Sequence, residues 1–249
     1  MGLRETLEAI KDEFYQGYVT PDGLALLDKG DPESDNGVLF LGFFLMLCYK
    51  AKLLDPRDTN NAFRALQSVQ VVKDGQVIPG LHWRSPQMPH KMESHDNSIG
   101  VCAISAIFDF AFARQHLEYG LKTGFCYNNL EPGKFEARAT RQGGDIAFIK
   151  LTAGYVPSIW ETLWLAIGVT IAAFKGTPST VNLAWLRLEA LKIEKAPLGL
   201  LGPQRLILFL TDCIYNVSIK KRFGGIQGSF ARYYKESHPI RRMAKELNL

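Results

Sequence analysis

The chain has no apolar run long enough to cross a bilayer. Its longest uncharged apolar stretches, Val38–Tyr49, Ser98–Phe108 and Thr162–Phe174, all fall short of the roughly 20 residues a spanning helix needs, so no membrane span is expected. Cysteine is scarce. Cys48, Cys102, Cys126 and Cys213 show no C-x-x-C spacing, which argues against zinc ribbons and thioredoxin-type sites and fits the reducing cytoplasm. Walker A, G-x-G-x-x-G, H-E-x-x-H and G-x-S-x-G motifs are all missing, so nothing supports a phosphate loop, a dinucleotide fold, a zincin or a serine-hydrolase elbow. Internal repeats and low-complexity tracts are absent as well. No secretory leader is expected, because the chain opens with the polar amphipathic run Gly2–Tyr15. Excess charge is small, 29 Lys and Arg against 25 Asp and Glu for a net +4, and gives no general attraction to polyanions.

What is present is ample core material. Of 249 residues, 47% are hydrophobic, enough for one large helical domain over 1–249 with the basic segment 218–249 at its periphery. Leu3, Leu7, Ile10 and Phe14 fall on one face of a first, amphipathic helix. Four segments carry apolar residues around the whole circumference and are expected to be enclosed: Val38 to about Leu53, Ser98–Ala113, Ile159–Phe174 and Pro203–Val217. The third follows a capping box, Ser158-x-x-Glu161, and the fourth opens on Gly202-Pro203. Between them Thr59–Val69, Asn182–Ala196 and Pro239–Leu247 read as mixed-character helices, with Arg187, Glu189, Lys192 and Glu194 facing out. This alternation predicts a mainly α fold, either a ring of helical hairpins or an irregular globule. One short β-hairpin is expected near residues 69–78, turning at Asp74-Gly75. A second irregular stretch is expected over Cys126–Gly144.

Chemistry concentrates just after the hairpin. His82, His90 and His95 fall within fourteen residues, among Trp83, Arg84, Glu93 and Asp96, and the stretch ends at the start of an enclosed helix. Helix N-termini carry free N–H groups and partial positive charge, which favour anions and carboxylates. Four readings stand. Ser94 or Asp96 caps the helix and nothing more. Asp96 and Glu93, with His95 titrating near neutrality and Arg84 clamping an anion, perform acid–base chemistry of the kind that cleaves glycosidic bonds. His82, His90, His95 and Asp96 have zinc-ligand types, but their spacing matches no signature, so neither metal nor cofactor is expected. Ser94, Ser98 and Ser105 as nucleophiles lack the surrounding motif, and Cys102 lies in an apolar helix. In the C-terminal part Lys220, Lys221, Arg222, Arg232, Lys235, Arg241, Arg242 and Lys245 interleave with Phe230, Tyr233 and Tyr234. A solvated surface is the favoured account, and nucleic acid is not an expected partner.

The run Arg84-Ser85-Pro86, followed by Glu93-Ser94-His95-Asp96-Asn97-Ser98-Ile99-Gly100, resembles a motif in uncharacterised proteins of tailed bacteriophages and prophages. Asn36-Gly37 ahead of an apolar helix adds to the likeness, which spans about residues 1–175. The central segment is also similar to a Ser-Arg-Asp-Gln motif of bacterial (α/α) toroids, with His95 in place of Arg and Asn97 in place of Gln. The resemblance implies a toroid whose funnel is lined by Asn36, Arg84, His95, Asp96 and Asn97, with Tyr127 and Asn128. Neighbouring Trp83 and His82 would extend the binding surface. Toroids of this kind include glycoside hydrolases and polysaccharide lyases, so a glycan is the implied ligand. Asp96 would be the leading carboxylate, with Glu93 or Asp145 its partner. The competing expectation is a non-enzymatic virion or virion-associated structural protein. The implied location is the host cytoplasm or the virus particle.

Overall fold

A computed structural model describes residues 2–29, 36–87, 94–125, 143–193 and 202–249. The chain runs through α1 (Leu3–Gly17), α2 (Gly37–Lys50) and α3 (Pro56–Ser68), then the hairpin β1 (Gln70–Lys73) and β2 (Gln76–His82). It continues as α4 (His95–Phe108), α5 (Phe112–Thr123), α6 (Gly143–Thr152), α7 (Ile159–Lys175) and α8 (Pro178–Leu191). The last helices are α9 (Gly202–Phe223), α10 (Ile226–Ala231) and α11 (Pro239–Glu246). The mainly α class with one short antiparallel hairpin is therefore as the sequence predicts.

The hairpin forms for the reason its turn residues suggest. Asp74 and Gly75 both take positive φ, 51° and 77°, which matches the right-handed twist of the paired strands, and Lys73 pairs with Gln76. The second strand is longer than expected. Gly80, at φ +82°, sits so close to α5 that a Cβ would lie 2.0 Å from the Gln115 carbonyl oxygen, and only glycine lets β2 run past α5 to His82.

Packing centres on α2, α4 and α8, which touch one another and are covered by the rest. Every residue of α2 from Gly37 to Cys48 is buried, and α4 is buried from Asn97 to Ile107. Their close approach depends on Gly100, whose missing side chain would strike the Val38–Leu39 backbone at 2.8 Å. One apolar core runs from Leu7 to Ala244, and Val71 and Leu81 form a satellite under the hairpin.

Several sequence expectations need correction. The helix expected over Ser98–Ala113 stops at Phe108, because Asp109 takes the left-handed conformation (φ 59°) and ends α4. Helices α5, α6 and α10 arise where none was expected, in short segments without a clear apolar period. The largest reversal concerns burial. Helix α8, read as half-exposed, is buried over most of its surface, and Glu189 is only 8% exposed because Lys50 and Lys192 neutralise it. Helices α7 and α9, expected to be enclosed, instead turn large apolar residues to the outside. Uniform hydrophobicity shows that a helix avoids water but not which surface covers it.

The candidate functional site

Three helices meet at the motif. His95 and Asp96 open α4, Asp145 lies in the first turn of α6, and Arg187 reaches in from α8. The cap of α4 is Ser94, whose Oγ accepts from the Asn97 N–H at 3.2 Å, and Asp96 is thereby released from the capping role. Asn97 is buried, and its Nδ2 donates to the Arg84 carbonyl at 3.2 Å, tying the strand exit to the helix start.

His95 stands between the two carboxylates. Its Nδ1 is 3.2 Å from Asp96 Oδ1 and its Nε2 is 2.9 Å from Asp145 Oδ1. Arg187 approaches the same Nε2 at 2.8 Å and forms an ion pair with the same Asp145 oxygen. A single ring nitrogen cannot donate to Asp145 and accept from Arg187 together. When the ring is an imidazolium, Nδ1–H and Nε2–H donate to Asp96 and Asp145. When it is neutral with the proton on Nδ1, Nε2 accepts from Arg187. Burial opposes the charged ring, but the hydrogen bonds to Asp145 and then Asp96 prevail over it and raise the His95 pKa above its ordinary value.

Exposure separates the two acids. The Asp96 side chain is 37% exposed and His95 46%, whereas Asp145 and Arg187 are 13% and 12% exposed. Asp145 is thus a carboxylate paired with a largely buried guanidinium, and Asp96 is its solvent-facing counterpart. Both acids lie in the first turn of a helix. Half-buried Tyr233 lies within electrostatic reach. Burial raises its phenol pKa, and the charge of Asp96 adds to the rise.

The structure brings together His95, Asp96 and Asp145, and it ties Asn97 and the Arg84 backbone to their support. His82 and Trp83 go elsewhere. His82 is fully buried with its ring 5.6 Å from that of His116, and Trp83 packs against the Val71–Leu81 satellite. Asn36 sits at the N-terminus of α2, where its carbonyl accepts from the Phe40 N–H at 3.0 Å. Glu93, Tyr127, Asn128 and His90 lie outside the described residues. No group of three or more metal-ligating side chains able to hold an ion occurs among the described residues.

Arg187 and Tyr233 escaped the sequence reading. Arg187 lies 92 positions beyond His95, on a helix whose stripe suggested that it faced out, and no local pattern marks it. In the basic C-terminal segment Lys220, Lys221, Arg232, Lys235 and Lys245 are exposed, and the rest is tied into the fold. Arg222 donates to the Ala173 and Gly176 carbonyls, Arg242 pairs with Glu13, Lys235 pairs with Asp28, and Phe230 and Tyr234 are core residues.

None of the described helices is long and apolar enough to cross a membrane. Compared with known proteins, the chain matches no family model, and no curated protein or solved structure shows significant similarity to it.

Proposed function

We propose that the His95–Asp96–Asp145–Arg187 cluster is a proton-transfer site that binds a glycan and hydrolyses it. The observation that carries this reading is the division of labour at the start of α4. Ser94 caps the helix, and Asp96 and His95 stay solvent-facing instead of being spent on backbone groups. A purely architectural Asp96 would be sealed against helix N–H groups. Asp96 is the carboxylate in reach of a ligand, His95 exchanges a proton with it through Nδ1, and Asp145, ion-paired with Arg187, holds the ring from the other side. Glycosidic cleavage fits a site with two carboxylates of unequal environment. The toroid resemblance of the motif points to the same substrate class.

The test is release of reducing ends from a panel of oligosaccharides, uronic-acid-containing ones included. Wild type should cleave at least one. Asp96→Asn should lose that activity while melting within a degree or two of wild type. Binding without cleavage would leave a lectin-like site, and a panel with neither outcome would remove the glycan reading.

One observation favours the second reading, a non-enzymatic virion or virion-associated structural protein. The Arg187–Asp145–His95 chain ties α8, α6 and α4 together as a clasp. If Asp96→Asn and His95→Ala both melt several degrees below wild type, the cluster serves the fold and this reading stands.

A further inference from the structure

Helices α7 and α9 lie side by side and run parallel. At their N-terminal ends Gln204 Nε2 donates to the Pro157 carbonyl at 2.7 Å and to Thr162 Oγ1 at 3.1 Å. At their C-terminal ends the Arg222 guanidinium donates to the Ala173 carbonyl at 2.6 Å and the Gly176 carbonyl at 3.0 Å. Helix α9 buries the polar Gln204, Thr211 and Ser218 beside Tyr215 and Ile219 and turns five other bulky residues outward, with Leu206 57%, Phe209 63% and Val217 70% exposed. Helix α7 buries Thr162, Leu165, Val169, Ala172 and Ala173, while its largest residues lie outside, with Trp160 74% and Trp164 57% exposed. Eleven of the nineteen large hydrophobic residues exposed among the described residues lie on these two helices.

We infer that this face is the interface of a symmetric homodimer. Four of the eleven are Trp or Phe, which carry on the order of 150–250 Å² each, and with the seven smaller aliphatic ones, all roughly half open, they present on the order of 1,000 Å². That exceeds the largest apolar patch usual on a monomer, roughly 300–600 Å², and meets the roughly 800 Å² per partner of a stable interface. Its outline also suits a second copy better than lipid. A protein lying on an anionic bilayer flanks its apolar face with cations. Here Asp212, paired with Lys192 at 2.9 Å, and Asn216 line one flank of α9, and exposed cations among the described residues are few: Arg205 lies at the N-terminal end of α9, and Lys175, Lys220 and Lys221 gather at the C-terminal end.

That end sets the orientation. A two-fold axis lying in the interface across the helices runs the partner's helices antiparallel, which keeps the two lysine clusters apart and opposes the helix dipoles. It also lays each cluster toward the partner's Trp160 and Trp164, whose ring faces attract cations. Gly168 supplies independent support. It lies within α7, is exposed, and a Cβ there would meet nothing within 4 Å. Glycine inside a helix is unfavourable relative to alanine, and nothing among the described residues requires it there. Close approach by another backbone would.

The experiment is sedimentation equilibrium of the full chain, with intact wild type beside Trp164→Lys/Val217→Lys and Gly168→Leu. Wild type should sediment at twice the chain mass. The double variant, whose changes fall on exposed positions, should keep the wild-type circular dichroism and shift to the chain mass, and Gly168→Leu should weaken the dimer. Alkylation of Cys213, which is exposed on the same face of α9, gives a second readout that needs no variant. Read by peptide mass spectrometry, it should slow as wild-type concentration rises. A monomer at every concentration with Cys213 reacting at a constant rate overturns the proposal. So does a dimer untouched by the lysine pair, or a monomer that floats with phosphatidylserine vesicles.

Discussion

His95 Nε2 faces two partners that want opposite things of it: Asp145 calls for a proton on that nitrogen and Arg187 for a lone pair. The balance is set by hydrogen bonds to two carboxylates against burial and a nearby guanidinium, and it falls on the protonated side. Histidine NMR should therefore place the His95 midpoint above 6.5, and Asp145→Asn should move it down further than Asp96→Asn does. A midpoint at or below 6.5 in wild type would show that Arg187, not Asp145, owns the nitrogen. For stability the sign follows. A raised folded pKa contributes stabilisation that is fully present below about 6.5 and fades as pH rises through the folded value.

His238 behaves oppositely. It is 1% exposed, its Nδ1 accepts from the Ile240 N–H at 3.2 Å, and its Nε2 lies 3.3 Å from the Leu26 carbonyl. Burial depresses its pKa to about 4, outweighing the hydrogen bond to Leu26 and the charge of Asp28. The unfolded chain then binds a proton below about 6.5 that the folded chain refuses until near 4. Across that window the protein should lose about 3 kcal/mol through this one group, at ~1.4 kcal/mol per pKa unit. Urea unfolding at pH 7 and pH 4.5 checks it. His238→Gln should start less stable at pH 7 but lose distinctly less on acidification, and equal losses would assign the acid sensitivity elsewhere.

At the scale of elements, α1 is pinned to α3 by a buried charge. Lys11, 2% exposed, donates to the Leu53 carbonyl at 2.6 Å and to Asp55 at 2.7 Å, and it also pairs with fully buried Asp58. Tyr15 donates to the other Asp58 oxygen at 2.6 Å. Removing one partner strands the other, so Asp58→Asn and Lys11→Met should each destabilise by about 3–5 kcal/mol. Lys11→Met/Asp58→Leu should recover much of that loss, because two apolar groups leave no uncompensated charge. A double variant as unstable as the sum of the singles, in denaturant titration, would contradict this account.

The elements also show what was legible in the sequence. Asp74-Gly75 announced its turn because both residues tolerate positive φ, and Ser158-x-x-Glu161 announced the start of α7 because its reciprocal hydrogen bonds are local. Within the site, His95 and Asp96 were legible through the short motif. Arg187 was not, since what brings it to His95 is the packing of α8 on α4, a contact between segments far apart in sequence. The Lys11–Asp58 pair was hidden for the same reason. Both residues sit on amphipathic helices where a charge ordinarily faces water, and neither declares a partner 47 positions away.

On the scale of the whole molecule, the misreading of α7 and α9 carries information. Their composition predicts burial, yet the single chain leaves eleven of their large apolar side chains open while burying Gln204, Thr211 and Ser218 beside Tyr215 and Ile219. Both facts hold together if the folded unit is two chains, with the sequence describing burial in the pair. Unfolding is then coupled to dissociation, and the melting temperature must depend on protein concentration. A tenfold increase stabilises the dimer by about 1.4 kcal/mol, half of that per chain, and a chain of this length should melt higher by roughly 2 °C. Calorimetry over two decades of concentration reads this directly. Wild type should climb at each step, whereas Trp164→Lys/Val217→Lys should melt at one temperature throughout. A wild-type melting point that stays constant would mean that these two helices keep their apolar faces in water, and the dimer would have to be abandoned.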